Sequence, residues 1–387
     1  MKLLHLHFSQ ISKIWSKSQN NNYSDKSRDN YHKKLAELYD KLSNEDFDNR
    51  LSRLEIEEKK QMLSFFSDSI TFLDNSTVTS LPFEVVKCLE IALNEWASDE
   101  YIIVTTKAKG INAFSFDPRL AVNDAFYEVI EKNYNIIFDK RLIQINVPEY
   151  LLGDYLANVV LYHELGHFIE GKFHIPDIIY KEFADDYVNK KIQPDFYKYF
   201  PFVKKSLKSD KNSFFNSDII NQIKYHIGEY FCDLFASQYV EGSVNHYLSY
   251  ISNDGYSTTH PATKRRVELV DSFLKNKNSY TLDKIKSAVE KMTGEHLRIR
   301  YEKFNSNDFV KLLPINITNE KELHYLYVYG WDLWLSNWSS IKHANKMGFT
   351  LKATSVYNII NDLIEKSIGN FIVSKTWKEI KDVPTKK

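Results

Sequence analysis

The sequence predicts an α+β fold: a small twisted sheet packed on one amphipathic helix, with mainly helical regions before and after this core. Three observations carry it. Short β-branched runs, Tyr101 to Thr106 and Leu142 to Val147, read as strands. The segment from Tyr150 to Glu170 places Leu152, Leu156, Val159, Val160, Leu165 and Ile169 mostly three or four residues apart, the period of a buried helix face. Helical periodicity also fills both ends of the chain.

Residues 17–30 contain no aliphatic side chain and read as a flexible loop. Leu35, Leu38, Tyr39 and Leu42 then mark an amphipathic helix, and Phe47, Leu51 and Leu54 begin another that continues towards Phe66. This gives a helical N-terminal region, 1–80, whose last helix ends near Asp74. Tyr101–Thr106 and Ile111–Phe116 are expected to pair around a turn at Lys107–Gly110, and Asn135–Phe138 with Leu142–Val147 around Asp139-Lys140-Arg141. Pro148 and Gly171 bracket the helix that follows. A second apolar helix carries Ile223, Ile227, Tyr230, Phe231, Leu234, Phe235 and Val240. Pro261 forces a turn at Thr258–Pro261, and Lys264 to Leu274 reads as helix. The polar run Lys275-Asn276-Lys277-Asn278-Ser279 closes a core of 81–275 and opens a mainly helical extension, 276–387. There Tyr327, Trp331, Trp334 and Trp338 form an aromatic stripe at i, i+4, i+7 and i+11, a pattern expected in a core.

Composition narrows the function classes. The 387 residues are 43% apolar and 14% aromatic, as in a packed globular protein rather than a disordered one. With 51 basic against 51 acidic residues, no long-range field draws in nucleic acid or an anionic membrane. Cys88 and Cys232 alone provide neither a disulfide framework nor a cysteine-rich metal site, which suits a reducing cytoplasm. No run approaches the ~18–20 apolar residues of a membrane helix, and Met1 to Phe8 has too short an apolar stretch for a secretory signal. A cytoplasmic protein without an integral membrane segment is expected. Nothing in the pattern specifies an oligomeric state.

The chemistry concentrates in His163-Glu164-Leu165-Gly166-His167. Residues four apart on a helix are rotated by about 400°, so the two imidazoles lie one turn apart on one face. Both can reach one zinc ion at about 2.0–2.1 Å. Glu164 then stands beside the open metal position, where a carboxylate can take a proton from water. From 12 histidines in 387 residues, a random His-Glu-x-x-His is expected only about 0.02 times per chain, against a bland reading of two surface histidines. Gly166 removes a side chain between the ligands and permits a close approach.

A catalytic zinc needs a third protein ligand. Glu170, His174, Glu182 and Glu229 compete for that place. Glu170 lies three residues past His167, and its side chain is expected to run along the helix rather than back to the metal. Glu182 and Glu229 are each followed by an Asp four residues later, as Asp186 and Asp233. Glu229 is favoured because its helix is otherwise apolar; Asp233, one turn on, can then accept the far N–H of a ligating histidine. His226, one turn before Glu229, reads as support rather than ligand.

The ordered set His163-Glu164-x-x-His167, Glu229-x-x-Cys232-Asp233-x-x-Ala236 and Thr259-His260-Pro261-x-x-x-x-Arg266-Val267 resembles the M48 family of gluzincin metallopeptidases. Cys232 and Val267 stand where that family has alanine and isoleucine. The match spans roughly residues 101–270. It implies a zincin-like core, one zinc ion held by His163, His167 and Glu229, and Glu164 as catalytic base. It also implies that Asn112-Ala113-Phe114 lies on an edge strand that binds substrate, since an unpaired edge can add an extended peptide as a further strand. His260, in its Thr-His-Pro turn, is expected to be catalytic as an oxyanion donor, with a reversible fourth metal ligand and a plain helix cap as alternatives. The expected activity is zinc-dependent hydrolysis of a protein or peptide substrate. The competing readings are a cytosolic peptidase specific to one target, of the phage-exclusion Lit-like or repressor-cleaving ImmA/IrrE-like type, and a non-catalytic metal-binding regulator.

Overall fold

The computed structural model describes residues 2–23, 25–47, 51–77, 83–109, 114–210, 212–251, 255–347 and 351–381. The fold is α+β, mostly helical with one three-stranded sheet. It divides into two compact units, Met1–Leu152 and Gly153–Lys387, so the strands belong to the first and the helix bearing His163 to the second. Among the described residues no helix is long and apolar enough to cross a membrane.

The first unit contains α1 (Lys2–Ser18), α2 (Lys26–Ser43), α3 (Arg53–Asp74), α4 (Phe83–Asn94), β1 (Tyr101–Ala108), β2 (Ser115–Asp117), α5 (Arg119–Val122), α6 (Asp124–Tyr134) and β3 (Arg141–Pro148). The loop expected over 17–30 is shorter than that: α1 runs to Ser18 and α2 begins at Lys26. Asp25 caps α2 by accepting from the Ser27 and Arg28 amides, and Ser18, Asn21 and Tyr23 all donate to Asp74 Oδ1. Those polar residues cap and tie helices, so the missing aliphatics marked a hydrogen-bonded junction. Leu4, Ile11, Leu35, Leu38, Phe66 and Ile70 are buried together with Ile102, Val104 and Leu142 from the sheet.

Among the described residues neither expected hairpin is seen, and 110–113 of the first lie outside them. The strand order is β1-β3-β2: β1 pairs with β3 in parallel from Tyr101↔Arg141 to Ala108↔Pro148, and β2 pairs antiparallel with β3 through Phe116↔Ile145. Parallel neighbours need a crossover, which α5 and α6 lie within. Asn135–Phe138 is not a strand. Asn135 takes a left-handed conformation (φ 54°) and ends α6 by donating its amide to Glu131 O. The central strand, β3, is the one whose Leu142, Ile143, Ile145 and Val147 are all buried.

The second unit contains α7 (Val160–Lys172), α8 (Ile175–Val188), α9 (Pro194–Tyr199), α10 (Pro201–Ser209), α11 (Ser217–Val240), α12 (Ser243–Ile251), α13 (Thr263–Leu274), α14 (Tyr280–Thr293), α15 (Glu320–Ser336), α16 (Ser339–Ala344) and α17 (Ala353–Lys381). α7 begins ten residues later than Tyr150 suggested. The Asp154 side chain accepts from the Ala157 amide, and short 3₁₀ turns at Glu149–Leu151 and Ala157–Val159 replace the expected first turns. Nor does Gly171 stop the helix, which runs to Lys172 and breaks at His174 (φ 51°). α11 is the central helix, buried from His226 to Val240 and packed on α7, α8, α12, α13 and α15. The aromatic stripe is core only in part. Tyr327 and Trp331 are buried and Trp334 is half-buried, while α15 ends at Ser336 before Trp338.

Candidate metal centre

Two glycines let α7 and α11 cross at short range. A Cβ on Gly166 would lie 2.9 Å from Cys232 Cα, and one on Gly228 would lie 2.3 Å from Glu170 Oε2. The first absence brings the two backbones together. The second leaves a niche for the Glu170 carboxylate.

Glu170 stays off the metal-facing side: its Oε1 lies 2.9 Å from His167 Nδ1 on the same helix. On the other histidine, Asp233 Oδ1 lies 3.0 Å from His163 Nδ1. Each ring thus has its far nitrogen on a carboxylate, which favours the tautomer with an unprotonated Nε2. The two Nε2 atoms face Glu229: His163 Nε2 is 3.6 Å from Oε2 and His167 Nε2 is 3.6 Å from Oε1. Glu164 lies half-buried on α7 between the two histidines in sequence.

Arg266 reaches in from α13. Its Nε and Nη2 make a two-pronged pair with Asp233, both at 2.7 Å, and Nη1 lies 3.1 Å from Glu229 Oε2. Burial alone would raise the Asp233 pKa, but the guanidinium holds the carboxyl well below the usual carboxylate range. Burial likewise works to lower the His167 pKa; the Glu170 hydrogen bond and the charges of Glu229, Glu170 and Glu164 outweigh it and push the imidazole up to about 9. Glu229 and Asp233 thus meet Arg266, and Glu170 meets His167, in a largely buried space.

Among the described residues, His163, His167 and Cys232 form a cluster whose donor atoms lie within 4.8 Å of one another and could hold a metal ion. The Cys232 thiol is 3.3 Å from His167 Nδ1, the nitrogen that faces Glu170, and not from Nε2. Burial, reinforced by the neighbouring carboxylates, pushes its pKa well above the ordinary thiol value.

His260 comes to the same cluster from a separate loop. Its Nε2 is 3.6 Å from Glu229 Oε1, and its ring is 60% exposed. The turn is closed by Ser257 N donating to His260 O and by His260 N donating to Ser257 Oγ. Thr259 Oγ1 lies 2.8 Å from His260 Nδ1. His226, fully buried on α11, donates from Nε2 to Ser257 O at 2.9 Å and so clasps this loop to the helix that carries Glu229. Its i, i+3 spacing from Glu229 was the sequence signal; the loop carbonyl it holds was not visible there.

The rival ligands lie elsewhere. Glu182 faces α14, 3.9 Å from Lys284 Nζ. His174 is exposed at the start of α8, with Asp177 as its acidic neighbour at 3.9 Å. Of the expected substrate strand, Asn112 and Ala113 lie outside the described residues. Phe114 is half-buried just ahead of β2, which occupies one edge of the sheet. Comparison with family models, with curated proteins and with solved structures returned no match.

Proposed function

We propose that the protein is a zinc-dependent endopeptidase whose ion is held by His163, His167 and Glu229. The observation that carries this is the shared carboxylate: each Glu229 oxygen lies 3.6 Å from one histidine Nε2. The carboxylate spans both rings, one oxygen to each, and neighbouring ligand atoms of a tetrahedral zinc with bonds of about 2.0–2.1 Å stand roughly 3.3–3.4 Å apart. Glu229 Oε2 also accepts no hydrogen bond of ordinary geometry among the described residues, although Arg266 Nη1 is near. Zinc, when bound, would polarise the scissile carbonyl and acidify water.

The chain's own residues supply the rest. Glu164 accepts a proton from the attacking water and passes it to the leaving amine. Asp233 and Glu170 orient the two imidazoles, and Arg266 keeps Asp233 ionised so that it can do so. His260, on an exposed loop beside Glu229, donates from its ring to the oxygen on which charge develops.

A second reading places Cys232 among the ligands, on the strength of its short distance to His167. Its sulfur faces the His167 nitrogen that already meets Glu170, so the first reading is preferred. Metal analysis of purified variants separates them. Glu229→Ala should lose most bound zinc and Cys232→Ser should keep it; Glu164→Gln should keep zinc while losing hydrolysis of a peptide library. Zinc retained by Glu229→Ala and lost by Cys232→Ser would sink the assignment.

A further inference from the structure

Residues 255–260, the stretch that ends on His260, have exposed side chains throughout and no regular secondary structure. A segment with so little buried surface depends on its hydrogen bonds for a fixed shape. Ser257 and His260 are tied to each other twice, by Ser257 N–H to His260 O at 2.8 Å and by His260 N–H to Ser257 Oγ at 2.9 Å. Among the described residues, the hydrogen bonds from the rest of the unit to this stretch all end on Ser257 O. His226 Nε2 donates to it at 2.9 Å, and Gln222 Nε2 approaches it at 3.4 Å.

Gln222, His226 and Glu229 follow one another at i, i+4 and i+7 on α11, so they share a face. Along the axis His226 and Glu229 stand about 4.5 Å apart. The loop meets them with two points three residues apart: Ser257 O on His226, and His260 Nε2 at 3.6 Å from Glu229 Oε1. His226 is suited to the first contact. A carbonyl oxygen only accepts, so Nε2 carries the hydrogen, and the buried Nδ1 has no hydrogen-bond partner among the described residues. Burial lowers the pKa to about 4, which keeps the ring neutral and in this tautomer near neutral pH. Phe202 packs edge-on against it at 5.0 Å and 78°, and the ring has no exposed surface. Its one N–H is therefore aimed at one place.

We infer that His226 is a positioning residue for His260: its N–H fixes Ser257 O on α11, and the Ser257–His260 turn then holds the His260 ring beside Glu229. This rests on the proposed role of His260 as donor to the reacting oxygen. Thr259 completes the aim, because its hydroxyl, 2.8 Å from His260 Nδ1, can donate there and leave the hydrogen on Nε2, the nitrogen nearer Glu229.

The test compares His226→Gln with His226→Met in the full-length chain. Both side chains are unbranched and of similar length, but only glutamine offers an N–H donor where Nε2 stands. The first measurement is hydrogen exchange, read by mass spectrometry on metal-free protein across 255–262, with α8 as the fold control. His226→Met should exchange about tenfold faster in this segment, the worth of one neutral hydrogen bond, while α8 is unchanged and His226→Gln stays near the unaltered chain. If methionine also loosens α8, His226→Leu takes its place and is read in the same way. Unchanged protection of 255–262 without the donor, or protection lost in Gln222→Ala instead, overturns the proposal.

The second measurement is turnover of the best-cleaved member of a peptide library by the zinc-loaded protein. In His226→Met, kcat should fall about tenfold with KM and zinc content unchanged, and His226→Gln should recover it. Combined with His260→Ala, His226→Met should cause no further loss, since both act through one ring. A further tenfold loss in the double variant overturns the proposal, because His226 would then act apart from His260. Failure to cleave any peptide counts against the peptidase reading alone, and the exchange result still decides the role of His226.

Discussion

His260 is the most exposed group at the candidate centre, yet its Nε2 sits 3.6 Å from Glu229 Oε1. An exposed ring held by a clasped turn suits a donor that meets substrate better than a structural ligand. His260→Ala should therefore slow cleavage of a peptide substrate by about 10²–10³, the usual effect of losing one oxyanion donor, with zinc content unchanged. Turnover at the unaltered rate would reduce the histidine to a turn residue, and a gain in activity would make it an inhibitory ligand. At this scale the sequence was informative wherever one helix sets the geometry. His163 and His167 share a face because of their spacing alone, and Asp233 follows Glu229 by one turn on α11. What the sequence left out was the contact of Glu170 with His167 Nδ1, whose room comes from Gly228 on another helix.

The crossing of α7 and α11 turns two separate motifs into one site. At Gly166 even a methyl group would lie 2.9 Å from Cys232 Cα, a backbone atom that cannot swing aside. Gly166→Ala should thus push the helices apart, costing about 1–3 kcal/mol as in other overpacked cores, and should lower zinc affinity along with the urea midpoint. Gly171→Ala is the control on the same helix. Nothing lies within 4 Å of its added Cβ, so helix propensity should leave stability unchanged or raise it by up to about 1 kcal/mol. Equal unfolding midpoints for the two variants would show that the close approach does not matter. Element boundaries proved harder to read than element types. The start of α7 moved because the Asp154 side chain caps a 3₁₀ turn, and the first polar run became a helix junction because its residues satisfy one another.

For the molecule as a whole, two buried histidines of the second unit set a pH dependence. Burial lowers the pKa of His226 to about 4 and that of His324 to about 3, against ~6.5 in an unfolded chain. The unfolded state therefore binds protons first as pH falls. Stability of this unit should be unaffected by these groups above about pH 6.5 and should decline as pH drops from there towards 4 and 3. Urea unfolding of the metal-free protein, followed by tryptophan fluorescence between pH 7 and 4, checks it; a midpoint that holds steady across that range would contradict it. His324 is tied to the Tyr162 hydroxyl at 2.7 Å, and its buried Nε2 has no hydrogen-bond partner among the described residues to offset protonation there.

The sequence by itself determined the α+β class, the histidine pair with its adjacent glutamate, the acidic pair on a second apolar helix and the Thr-His-Pro turn. All are local facts, set by a repeat of two or 3.6 residues or by one proline. Only the tertiary structure decided which carboxylate faces the histidines, where Arg266 and Glu170 point, and that β1 lies parallel to β3 rather than in a hairpin. Those outcomes depend on which surfaces meet. Contacts between residues such as His163 and Arg266, 103 positions apart, are selected by packing and charge in three dimensions, and no short window of the chain contains both partners.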